Sequence, residues 1–249
     1  MKIDPLKRFS NRVADYVRYR PTYPKEVVSY LKEQCKPLQT VADIGAGTGI
    51  FSKLLLEAGL EVFAVEPNNE MREAAREYLG DFDDIHFVDA PAESTDLEDH
   101  TVDLVVAAQA FHWFDRPKAK AEFKRILTPK GRVALIWNTR ETESPFGKAY
   151  EDFIENYSVD YKEVRQHGAV AEEDLKSFFK SYTLKTFPNQ QTLEWKSLLG
   201  RYLSASYAPK PGSPQYAKAE AKLRELFDAH QAGGKIQMKY DTEVYLGTL

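Results

Sequence analysis

The chain reads as one α/β domain built on an open, doubly wound sheet of seven strands, mostly parallel, with an antiparallel C-terminal strand. Two observations predict it. From residue 41 onward, short apolar runs alternate with helical patterns, the signature of parallel strands joined by crossover helices. The final run, "KIQMKYDTEVYLGTL", instead alternates apolar and polar residues, as a strand with one buried face does, and is expected to lie beside the parallel set as an antiparallel partner.

The elements follow in order. "TVADIG" is the first strand, and "GIFSKLLLEAG" the first crossover helix, with Phe51, Leu54, Leu55 and Ala58 at helical spacing and Gly59 as its C-terminal cap. "EVFAVEP" and "NNEMREAAREYLG" repeat the design, again closing on glycine. "IHFVDA" and "VDLVVAAQA" are the third and fourth strands. "RPKAKAEFKRILTPKG" is a third helix, whose Pro129 and Gly131 turn the chain into the fifth strand, "RVALIWN". Beyond residue 138 the pattern predicts helices near 146–157, 171–181, 193–204 and 214–231, with strands near 182–190 and 236–247. Their tyrosines and lysines suit a cap over the sheet edge. Within one domain spanning 1–249, the parts are then an N-terminal lid (1–37), a core (38–140) and a helical cap with the last two strands (141–249).

Composition narrows the function. With 249 residues, 43% of them hydrophobic, the chain can bury a full core without staples. A formal net charge of −4 offers no general attraction to phosphate backbones, so nucleic acid is not the expected partner. A single cysteine, Cys35, excludes an intrachain disulfide framework and multi-cysteine metal sites, and suits a reducing compartment such as the cytoplasm. No run approaches the ~18 apolar residues of a membrane span, and the N-terminus lacks the apolar segment of a secretory signal. No metal is expected, and the oligomeric state is not legible.

The stretch "VADIGAGTG" carries the chemistry. Gly45, Gly47 and Gly49 stand at the carboxyl end of the first strand, where open parallel sheets bind ligands. The third glycine comes one residue too early for the dinucleotide fingerprint, Ile50 takes the place reserved for glycine or alanine, and the phosphate-loop lysine is missing. Asp43 would repel a pyrophosphate and favour a cationic ligand. Glu66, at the end of the second strand, is placed to accept hydrogen bonds from ribose hydroxyls. A nucleoside ligand bearing an ammonium and a sulfonium satisfies both acids.

These residues carry a family resemblance. "VADIGAGTGIFSKLL", "VEPNNEM", "FVDAPAE", "VDLVVAAQAFHWFD" and "LTPKGRVALIW" resemble the class I S-adenosylmethionine-dependent methyltransferases, with their Rossmann-like fold, across roughly residues 38–138. "RFSNRVADYVRYRPTYP" and "AQAFHWFD" are similar to the small-molecule methyltransferase group that includes trans-aconitate methyltransferase. The resemblance implies S-adenosylmethionine as cofactor, converted to S-adenosylhomocysteine. It implies that Gly45, Ala46, Gly47 and Gly49 approach the methionine part, that Asp43 holds the amino group, and that Glu66 takes the ribose with Pro67 and Asn68 beside it. After the third strand, Ala92 and Glu93 are matched to the adenine, with Asp89 as the competing register. Ala108 and Gln109 would lie under the sulfonium, and Tyr16 and Arg20 would close over the cofactor as a lid.

The acceptor is less legible. His112 follows the fourth strand as a candidate proton acceptor, and Trp113 as a candidate wall of the acceptor site, since aromatic faces attract a sulfonium methyl. Arg140 ends the fifth strand, and "GRYLSASY" offers Arg201 and Tyr207; together they suit a small carboxylic acid. Methyl transfer to RNA or protein, nucleotide-dependent oxidoreduction and a non-catalytic cofactor-binding role stand as the alternatives.

Overall fold

The computed structural model describes residues 18–159, 161 and 170–249. The expected N-terminal helix face of Phe9, Val13 and Tyr16, and with it the lid contact assigned to Tyr16, lies outside these residues.

In chain order the elements are α1 (Lys25–Gln34), β1 (Thr40–Ile44), α2 (Ile50–Glu57), β2 (Glu61–Val65), α3 (Asn69–Leu79), β3 (Ile85–Val88) and β4 (Val102–Ala108). There follow α4 (Arg116–Ile126), β5 (Leu127–Arg140), α5 (Pro145–Tyr157), α6 (Glu172–Phe178), β6 (Ser181–Glu194), α7 (Trp195–Leu203), α8 (Pro214–His230) and β7 (Lys235–Thr248). Several helix starts are written locally: the side chains of Asn68, Asp115, Ser144 and Ser213 each accept a backbone N–H of the first turn, and proline follows the last three.

The sheet order is β3-β2-β1-β4-β5-β7-β6. β1 to β5 pair in parallel, and β7 runs antiparallel to both β5 and β6, as the alternating pattern predicts. The strand order reverses between the parallel neighbours β1 and β4, so a crevice opens beyond their carboxyl ends.

Both faces of the sheet are covered, which is why its inner strands read as continuous apolar runs rather than alternating ones. Alternate residues feed two cores. Ala42, Ile44, Val105 and Leu135 join Phe123 of α4 and Phe178 of α6 on one face, while Val41, Leu104, Val106 and Ile136 meet Leu31 of α1 and Leu55 of α2 on the other. A third cluster holds the cap together, with Tyr150, Tyr202, Leu223 and Phe227 packed on Ile236 and Tyr240 of β7.

Three boundaries differ from the sequence reading. β5 begins at Leu127, directly after α4, and a register shift between Val102 and Leu104 absorbs the Pro129–Gly131 stretch; proline has no N–H for a ladder, so the irregularity falls there. β6 runs on to Glu194 because Leu193 pairs with Ile236 and is buried in the cap cluster, which delays α7 to Trp195. α6 stops at Phe178, since Ser181 is already paired with Thr248. On α2 the buried stripe takes in Leu56, and Leu54 is only half-buried. No helix among the described residues is long and apolar enough to cross a membrane.

Candidate active site

The turn after β1 is drawn toward β2 by the N–H groups of Gly45 and Ala46, which both donate to the Val65 carbonyl at 2.8 and 3.1 Å. Gly45, Gly47 and Gly49 all have φ between 57 and 79°, the left-handed region that glycine enters without strain. Their reasons differ. A Cβ on Gly45 would stand 2.6 Å from that of Ala110, so the turn and the end of β4 pass too closely for a side chain. Gly47 has nothing within 4 Å of that position and presents bare backbone to open space. A Cβ on Gly49 would meet Leu79 Cδ1 at 2.5 Å, and Gly49 does not line the cavity. The structure gives this glycine a packing role, letting α2 lie against α3.

Two carboxylates flank the turn. Glu66 accepts the Gly47 N–H at 2.9 Å with one oxygen and the Asn68 N–H at 2.8 Å with the other, so its orientation is fixed from both sides. Burial raises its pKa, against those two bonds and Arg72. Asp43 is only 1% exposed. Its Oδ2 accepts from Ser52 Oγ at 2.7 Å, and its Oδ1 has no hydrogen-bond partner among the described residues. Desolvation pushes its pKa up to about 6, with Glu66 adding to the rise.

The cavity above these groups has a volume of about 690 Å³, within the size range of small-molecule sites. Pro67, Ala92 and Glu93 line it. Asp89, the competing register, is held at 2.7 Å by Arg72, which also donates to the Glu66 carbonyl, and does not line the cavity. Glu93 accepts the Asp115 N–H at 2.7 Å, tying together the loops after β3 and β4. Buried Glu122 accepts both the N–H and the hydroxyl of Thr95 and pairs with Arg125, which anchors the chain just past Glu93.

At the end of β4, Gln109 has φ 58°, uncommon for a residue with a side chain and a frequent mark of a functional turn. Its N–H donates to the Ile136 carbonyl at 2.8 Å and its amide to the Asn138 carbonyl at 3.3 Å. A single 3₁₀ turn, Phe111–Trp113, follows. Successive side chains on such a turn point about 120° apart. Ala110 and Trp113, three apart, line the cavity, as does Phe114 just past the turn, and His112 does not; its ring stacks obliquely on Trp113, with centroids 4.9 Å apart. His112, the expected proton acceptor, is thus not among the residues that the structure brings to the cavity wall.

The cap closes the far end with Arg140, Tyr161, Arg201 and Tyr207. Arg140 forms an ion pair with Glu151, both side chains being 15% exposed, and Tyr161 bridges them, donating to Glu151 at 2.7 Å and accepting from Arg140 at 3.3 Å. Arg201, 7% exposed, donates through Nε to the Tyr240 hydroxyl at 3.3 Å. Arg20 lines the cavity between lid and cap and donates to the Ser204 carbonyl at 3.1 Å. Among the lining residues not anticipated from sequence, Asn138 could have been found, because it ends a strand as Gln109 does. Tyr161 carries no local signal. No group of three histidine, cysteine, aspartate or glutamate side chains suited to a metal occurs among the described residues.

Comparison with known proteins agrees with this architecture. A family model described as a methyltransferase domain matches residues 42–135. An uncharacterized methyltransferase of Mycobacterium tuberculosis is 41% identical over 133 residues, 53% of this chain and 53% of the relative, so the chain matches about half the length of that relative. A methyltransferase-like protein of Schizosaccharomyces pombe is 34% identical over 158 residues, 62% of this chain and 60% of the other. Among solved structures, a provisionally assigned type II methyltransferase from Anaeromyxobacter dehalogenans superposes with a TM-score of 0.67 at 20% identity, covering 92% of this chain and 98% of that one, a likeness of fold. The sheet order, the glycine turn and its two carboxylates agree with these similarities, which liken the chain to the class I S-adenosylmethionine-dependent methyltransferases and match a methyltransferase domain at residues 42–135.

Proposed function

We propose that this protein transfers a methyl group from S-adenosylmethionine to a small-molecule acceptor, a carboxylic acid in particular. The observation that carries the cofactor half is Asp43: a buried carboxylate with one oxygen lacking a hydrogen-bond partner among the described residues, beside a glycine turn that opens onto the cavity. An orphaned carboxylate oxygen is costly unless a cation or donor completes it. The ammonium of the cofactor does so. Glu66 is clamped where ribose hydroxyls can donate to it, and Pro67, Ala92 and Glu93 flank the base. When bound, the cofactor supplies an activated methyl group and keeps the electron pair of the broken carbon–sulfur bond, while an acceptor oxygen forms the new bond to carbon.

The residues of the chain then act by placement. Cavity walls hold donor and acceptor in line and exclude water, which can lower a barrier by as much as ~7–11 kcal/mol. No histidine lines the cavity among the described residues, and an acceptor that is already ionised needs no base. The arginines at the cap end favour an acid. The enclosing cap suits a small molecule better than an RNA or protein chain, and the single buried cysteine fits a cytoplasmic setting.

Titration with S-adenosylhomocysteine tests the cofactor half. Wild type should bind, while Gly47→Arg, which fills the open space, and Asp43→Ala should lose affinity; unchanged binding in both variants removes the basis of the proposal. Transfer of labelled methyl to a panel of organic acids, with bulk RNA and protein alongside, tests the acceptor. Labelling confined to a macromolecule would overturn the small-molecule assignment.

A further inference from the structure

Among the described residues three guanidinium groups line the cavity, and their charges are not equivalent. Arg140 is already compensated, with Glu151 as its counter-ion, Tyr161 bridging the pair, and the face of Tyr150 5.2 Å from its guanidinium carbon. Arg20 is engaged as well, donating to the Ser204 carbonyl. Arg201 differs. It is almost wholly buried, its guanidinium has one hydrogen bond, to the neutral hydroxyl of Tyr240, and no carboxylate among the described residues lies within ion-pair distance of it. A buried cation without a counter-charge is costly, and a phenol cannot neutralise it.

We infer that the acceptor seat admits one carboxylate, bound by Arg201, and that Glu151 sets this limit by neutralising Arg140. The inference rests on the proposed methyl transfer to a small acid and adds its charge. One incoming carboxylate balances Arg201. A second one at the cap end meets an arginine whose charge is taken, and gives the group of Arg140, Glu151 and Arg201 a net negative charge. Glu151 thus excludes polyacids by leaving them an unpaired group, which discriminates more strongly than a missing attraction. The residue that selects is not one that holds the accepted acid.

The test uses acids matched in length: hexanoate, hexanedioate, its monomethyl ester, and propane-1,2,3-tricarboxylate. Each is read twice, by calorimetric binding to the complex with S-adenosylhomocysteine and by methyl transfer at pH 7.5. The monoacid and the half-ester should exceed the diacid and the triacid by about tenfold or more in both readouts. Arg201→Gln should lose about 100-fold in acid binding and kcat/KM, with affinity for S-adenosylhomocysteine within about twofold of wild type, and Arg201→Lys should recover part of the loss. Glu151→Gln, which keeps an acceptor for Tyr161, should raise the diacid-to-monoacid ratio about tenfold. A wild-type preference for the diacid or triacid overturns the inference and leaves the proposed function standing. Parallel loss of S-adenosylhomocysteine affinity in Arg201→Gln also overturns it, by assigning Arg201 to the cofactor carboxylate. If no acid is bound or methylated while S-adenosylhomocysteine binds normally, acid methylation falls and the inference with it.

Discussion

Replacing Asp43 by asparagine separates what the site costs the fold from what it gives the ligand. Desolvation holds the buried carboxyl near pKa 6 instead of 3.8, a difference of about 2 units and about 3 kcal/mol. Because the folded value is raised, the associated stability is fully present below about pH 4 and is lost as pH climbs through 6. At pH 8 the unliganded protein therefore carries an ionised, half-partnered group that asparagine would not. The amide must in turn find an acceptor for its N–H groups, which returns about 1–2 kcal/mol of the gain. The net expectation is a variant about 1–2 kcal/mol more stable than wild type at pH 8, a rise in Tm of about 2–8 °C for a chain of this size. At pH 4 that advantage should vanish. Affinity for S-adenosylhomocysteine should move the other way, falling about 10- to 100-fold with the loss of a charge-assisted bond to the ammonium. Thermal melts at the two pH values with calorimetric titration give all three quantities. An equal Tm gain at both pH values, or unchanged affinity, would refute the assignment of Asp43 as a buried charge awaiting a cation.

Three further outcomes follow from the geometry. Gly49→Ala places a methyl at positive φ and 2.5 Å from Leu79 Cδ1, and should cost about 1–3 kcal/mol in denaturant melts while leaving S-adenosylhomocysteine affinity within about threefold. Burial alone would raise the pKa of Glu122, but hydrogen bonds from Arg125 and Thr95 outweigh it and bring the value down to about 2. The stability this contributes is present above about pH 4.5 and lost as pH falls through 2, so Glu122→Ala should cost about 2–4 kcal/mol at pH 7 and much less at pH 2.5 by urea unfolding. His112→Gln should retain kcat within about twofold and the pH profile of wild type, because the ring lies outside the cavity lining; a collapse of kcat would restore His112 as a proton acceptor.

The parts of this fold that local sequence dictates were legible: strand periodicity, the helix caps, the glycine turn and the acids on either side of it. Glu66 could be assigned because the end of the second strand is fixed by the same alternation that defines the strand. Gly49 shows where such reasoning stops. Its neighbour Leu79 is 30 residues away, and only the packed pair of helices reveals that the glycine serves a steric end. His112 meets the same limit, since the run "AFHWFD" gives proximity to the site but not the phase of the 3₁₀ turn that directs each ring. Arg140 and Arg201 look alike as cationic residues in the sequence. What separates them is Glu151, which the cap brings to one and not the other.

The position of β7 bears on how the chain reaches this structure. β7 follows β6 in sequence yet lies between β5 and β6 in the sheet, pairing along its whole length with β6 and from Tyr240 to Gly247 with β5. β6 therefore has no strand to join until β7 has been made. During synthesis, β1 to β5 can assemble early, but the outer edge of β5 keeps its backbone groups unpaired until the ribosome has passed Thr248. Such an edge is a template for pairing with other chains. Closure of the sheet and completion of the arginine-bearing end of the cavity are then one late event, and a nascent chain caught before it would expose the β5 edge with an unfinished cavity.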